Sequence, residues 1–121
     1  MTELEEKFKK IINTISQEKG NIKFFAIARR SDSEGFFDIL ISADWIRQDD
    51  FEILKYIVKI IKSLLNKEEI IDISRVILLN SDDPILKQLR PAITVELGGI
   101  VHLDNCVVNN LAIEELTIFV S

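Results

Sequence analysis

Residues 49–66, DDFEILKYIVKIIKSLLN, constrain this chain more than any other stretch, because apolar side chains recur there at intervals of three and four for several turns. Ile53, Leu54, Ile57, Ile60, Ile61, Leu64 and Leu65 fall on one broad face, with Glu52, Lys55, Lys59, Lys62 and Asn66 on the other. Asp49 and Asp50 are placed to satisfy free N–H groups at the start, while Lys62 and Lys67 stand where the helix dipole favours cations. A stripe wider than a coiled-coil seam needs an extended apolar surface beneath it. The sequence therefore predicts a central helix lying on a β-sheet.

A chain of 121 residues is large enough to bury about two-thirds of its unfolded surface around one core, so residues 1–121 read as a single domain. Isoleucine is the most frequent apolar residue, which suits a pleated sheet. Cys106 is the only cysteine, so no internal disulfide can form and a reducing compartment fits. The opening MTELEEKFKK lacks an apolar leader, and no apolar run is long enough to span a bilayer. A cytoplasmic protein without membrane contact is expected. A net charge of −5 disfavours nucleic acid as a partner, since neutralising phosphates takes a basic surface.

Along the chain, residues 2–19 carry Leu4, Phe8, Ile11, Ile12 and Ile15 on one helical stripe. Thr2 and Glu5 are spaced as a capping box, and Gly20 is placed to end the helix. The narrower stripe predicts packing at a sheet edge or on a partner. Residues 21–30 read as an interior strand with apolar residues on both sides, and residues 36–45 alternate more cleanly, with a polar hairpin loop at 31–35. After the central helix, residues 70–80 read as a third strand, and Pro84 opens one or two helical turns that Pro91 stops. Further strands are expected at 92–97, 100–103 and 112–120, with Gly98 and Gly99 as a two-residue hairpin; residues 105–110 fit no single pattern. The expected class is α+β: two main helices on a largely antiparallel sheet of five or six strands. Their order is helix, strand, strand, helix, strand, short helix, strand, strand, strand.

Residues that carry chemistry are sparse. His102, the single histidine, stands opposite Val101 and Leu103 in a strand, where a solvent-facing or satisfied histidine is the plain reading. Cys106 reads as a small buried thiol, and a zinc cluster with His102 and Asp104 lacks the usual ligand count. Asp38, Asp44, Asp82 and Asp83 give the enzymatic alternative, a metal-assisted hydrolase or nuclease, provided that they converge. Each also has a structural explanation, as the polar half of a strand or a helix start. GxxxxGK and GxGxxG are absent, and no cofactor is expected. The Lys55, Lys59, Lys62 row, with Arg29 and Arg30, reads as a solvated face.

These features favour a non-enzymatic interaction or regulatory protein acting through surface complementarity on a protein partner. A small apolar ligand site between the central helix and the sheet is a weaker third reading. Two-sided apolar content in residues 22–28 and 76–79 leaves a sheet face without obvious cover, which predicts a homodimer. Leu116, Ile118 and Phe119 of the final strand are the expected seam. Trp45, the only tryptophan, is either a core plug or a contact anchor, the plug being favoured.

Overall fold

The apolar stripe of residues 49–66 forms helix α2 (Phe51–Leu64), here in a computed structural model that describes residues 3–31, 35–89, 99–108 and 111–120. Asp50 caps it, its Oδ1 accepting from the Ile53 amide at 3.0 Å. Ile57 and Ile61 are its buried contacts with the core. Around α2 the chain runs α1 (Glu3–Lys19), β1 (Phe24–Arg30), β2 (Phe37–Ser42), then α3 (Lys67–Ile71), β3 (Ile73–Leu79), α4 (Pro84–Leu89), β4 (Val101–Val108) and β5 (Leu111–Val120). The class is α+β.

The five strands form one mixed sheet in the order β3-β2-β1-β5-β4. β1 pairs antiparallel with β2 and β5, and β5 with β4, while β2 and β3 are parallel. The parallel pair follows from connectivity, because α2 and α3 carry the chain back across one face before β3 begins. Residues 70–72 are not strand as the apolar run suggested. Asn66 accepts from the Glu69 amide at 2.9 Å while Glu69 accepts from the Asn66 amide at 2.8 Å, and this reciprocal cap starts α3 instead. The expected strand at 92–97, Gly98 of the expected hairpin and Thr2 of the expected capping box lie outside the described residues.

Phe8 fixes the position of α1. Its ring lies 5.9 Å from that of Phe25, 6.2 Å from that of Phe37 and 5.9 Å from that of Phe119, on three different strands. Each such pair contributes about 0.5–1.5 kcal/mol beyond simple burial. So α1 lies over the middle of the sheet beside α2, not at an edge as its narrow stripe suggested, and one apolar cluster joins both helices to β1, β2, β3 and β5.

The opposite face holds a second cluster: Phe24, Ala26 and Ala28 of β1, Leu40, Leu79, and Ile113, Leu116 and Ile118 of β5, with Leu86 of α4 packed against them. Phe24, Ala26 and Ile118 have no exposed area within the single chain, so the face expected to lack cover is buried. A local irregularity keeps the strand ends on this face. β1 pairs Arg29 with Glu115 but Arg30 with Ile113, and Asn105 on β4 takes φ 49° opposite the extra residue. Through it Ile113 joins Leu116, and Cys106 joins Leu103, on one side.

The expected seam on the final strand is corrected by topology. β5 sits between β1 and β4, and Leu116, Ile118 and Phe119 are buried in the two clusters. Lying last in sequence did not leave the strand at an edge, because the β4–β5 hairpin docks through β5.

Candidate functional site

The four aspartates of the metal reading do not converge. Asp38 is buried on β2 between two arginines: Arg75 donates Nη2 to Oδ2 at 2.9 Å and Nε to Oδ1 at 3.3 Å, and Arg30 Nε lies 3.3 Å from Oδ2. Asp44 lies beyond the other end of that strand, 3.1 Å from Lys23 Nζ. Asp83 accepts from the Ile85 amide at 2.9 Å at the start of α4, and Asp82 borders a separate surface hollow with Arg47, Asn80 and Ser81. Among the described residues no three His, Cys, Asp or Glu side chains group as metal ligands. His102 and Cys106 face opposite sides of the sheet, and burial pushes the Cys106 thiol up from its ordinary pKa, leaving little thiolate.

One polar constellation went unread in the sequence. A cleft of about 360 Å³ opens where the start of α1 meets β4 and β5, with His102, Glu5, Arg29 and Glu115 among its lining residues. His102 Nε2 lies 3.2 Å from Glu5 Oε2, and Nδ1 lies 3.2 Å from Thr117 Oγ1. A carboxylate only accepts, so the Nε2–H of His102 is the donor toward Glu5. The hydroxyl, imidazole and carboxylate chain has the connectivity of a nucleophile relay. Two of its neighbours in the cleft are engaged elsewhere. β5 is paired on both sides, which commits its amides to the ladder. Arg29 is held by Glu115 at 3.1 Å, donates to the Gly35 carbonyl and lies over the Phe37 ring. The Glu5–His102–Thr117 contacts link the start of α1 to the β4–β5 hairpin.

A different surface is open along α2. Phe51, Leu54, Lys55, Val58, Lys59 and Lys62 border a shallow furrow of about 420 Å³ along α2. A second hollow shares Val58 and Lys62 and continues between α2, Ile70 of α3 and the start of edge strand β3 at Ile73, Arg75 and Val76. Phe51 is 64% exposed although it is a large aromatic residue. Its ring is covered on one side by Lys55 Nζ at 4.9 Å. Ile57 and Ile61 of α2 pack with Ile39 and Ile41 of β2 in the core beneath the helix, each at most 2% exposed. Trp45 is half-buried at the end of α1, its Nε1 donating to the Asn21 carbonyl at 3.3 Å. Ile71 and Val107 are exposed at the two sides of the sheet.

No described helix is long and apolar enough to cross a membrane. Comparison with protein-family models, with curated proteins and with solved structures finds no match, so the functional reading rests on geometry.

Proposed function

We propose that the protein is a non-enzymatic interaction or regulatory protein of the cytosol that works by docking a shaped surface onto another protein. The observation that carries this reading is the open furrow on α2, where Phe51 is exposed, Val58 is half-buried outside the core cluster and Leu54 is half-buried at the cluster's margin. The dispersal of Asp38, Asp44, Asp82 and Asp83, each held by a structural partner or set at a loop or helix start, supports it over a metal-assisted hydrolase or nuclease. Self-association as a homodimer belongs to the same reading and uses an open sheet edge, since the core strands are enclosed.

In-cell cross-linking with mass spectrometry, followed by reconstitution from purified components, tests it. The expected result is one defined protein complex of fixed stoichiometry. Failure to assemble with any cross-linked protein, together with divalent-ion-dependent hydrolysis of a phosphodiester or peptide substrate, overturns it.

A further inference from the structure

Resting on that interaction reading, we infer that the α2 furrow is a docking groove for an acidic amphipathic helix of a partner protein.

The groove is bounded by two rows at four-residue spacing: Phe51, Lys55 and Lys59 on one side, and Leu54, Val58 and Lys62 on the other. The channel between two such rows is the shape into which a ridge of side chains on a second helix packs. Its lining runs from Phe51 to Lys62 and makes it roughly 17 Å long, enough to hold about three turns of a docked helix. Phe51, Leu54 and Val58 are its apolar lining, and a neighbouring hollow that shares Val58 and Lys62 reaches Ile70, Ile73 and Val76.

Charge selects the occupant. The chain carries −5 overall, yet Lys55, Lys59 and Lys62 line this one groove, while Arg75 in the neighbouring hollow is paired with Asp38. Glu52 lies 3.7 Å from Lys55, while Lys59 and Lys62 have no acidic partner among the described residues. A partner helix with leucine-like residues at i, i+4 and i+7 flanked by Asp or Glu satisfies both floor and rim. An anionic membrane fits less well, because Leu54 and Val58 are half-buried where a bilayer calls for fully projecting side chains, and the overall negative charge is repelled by such a surface. For nucleic acid, Phe51 is the one aromatic side chain among the described residues that line the furrow.

The test titrates the full-length protein against a fluorescently labelled synthetic helix with leucine at i, i+4 and i+7 and glutamate elsewhere, read by anisotropy. The controls are the same peptide with lysine for glutamate and phosphatidylcholine vesicles containing phosphatidylserine. Saturable binding of the acidic peptide is expected, weakened at least about tenfold in the triple variant Lys55→Glu, Lys59→Glu, Lys62→Glu, whose changes are all at exposed positions and leave the unfolding midpoint in place. Amide protection on binding concentrates along α2. Equal binding by the triple variant, preference for the lysine peptide, or binding to vesicles alone overturns the assignment. A cross-linked cellular partner that binds the triple variant undiminished defeats the groove and leaves the interaction reading standing. If no partner assembles and the acidic peptide also fails to bind, both fall.

Discussion

At Gly20 the backbone takes φ 122°, a region that only glycine enters without strain, and its amide donates to the Ser16 carbonyl at 3.0 Å to close α1. A Cβ built there would meet Trp45 Cδ1 and Nε1 at 3.3 Å. Gly20→Ala combines backbone strain with displacement of the indole, and is expected to cost about 2–3 kcal/mol in denaturant unfolding. A red shift of Trp45 emission in the folded variant accompanies it; an unchanged midpoint and spectrum would show that neither constraint operates. Tyr56 offers a pH readout. Its hydroxyl donates to Glu18 Oε1 at 2.6 Å, and burial, reinforced by that hydrogen bond, pushes its pKa from 10.0 up to about 12. Below pH 10 both folded and unfolded chains hold the proton and the contribution is complete. Between pH 10 and about 12 the unfolded chain ionises first, so stability falls as pH rises. Tyr56→Phe removes that part of the slope, which parallel unfolding curves across the window measure; identical slopes would contradict the linkage. The Glu5–His102–Thr117 chain was not legible at this scale. Alternation puts His102 and Thr117 on a definite face, but which residue lies across depends on a register spanning 15 residues and on α1 crossing above.

Among the elements, α1 and α2 were legible because 3.6-residue periodicity is a local property that a stripe of Phe8, Ile11 and Ile15, or of Ile57 and Ile61, displays directly. The cap that starts α3 was also present in the letters, as Asn66 three residues before Glu69. The β-branched run that follows outweighed it, although Ile70 and Ile71 belong to the helix. Strand order was not legible, since nothing within the final strand records that β1 and β4 flank it. Asp38 illustrates the same limit. Its place on β2 fits an ordinary polar alternation, yet it is only 3% exposed and joins β2 to Arg75 of β3 and Arg30 of β1. Asp38→Ala leaves Arg30 without this carboxylate in a partly buried position, while Arg75, already half exposed, turns into water. A loss of about 3 kcal/mol is expected, at the low end for breaking a buried pair because one arginine escapes. Chemical denaturation of the purified variant measures it, and a change below about 0.5 kcal/mol, the scale of an ordinary surface substitution, would show that the cluster does not hold the strands together.

For the whole molecule, the question is what covers the sheet, and burial answers it differently from composition. Apolar residues on both sides of β1 are accounted for by two internal clusters. The open features are the edges, and among the described residues β3 and β4 each have one neighbouring strand. Two copies meeting at β3 would bring together Arg75 and the lysine-lined groove, whereas β4 presents Val107 at 71% exposure and a longer strand. A two-fold β4–β4 pairing centred near Val107 is therefore the geometry expected for the proposed homodimer. Light scattering at micromolar concentration should give about twice the 13.9 kDa chain mass. Val107→Lys, which adds a charge to an exposed edge, should return it to a single-chain mass with little change in unfolding midpoint. Ile118→Asp should behave quite differently: the side chain has no exposed area in one chain, and burying an unpaired carboxylate there costs several kcal/mol, a large part of a typical domain's 5–15 kcal/mol. Unfolding is expected for that variant instead of clean dissociation. A single-chain mass for the parent protein at every concentration ends the dimer proposal, and a dimer that Val107→Lys leaves intact places its seam away from β4.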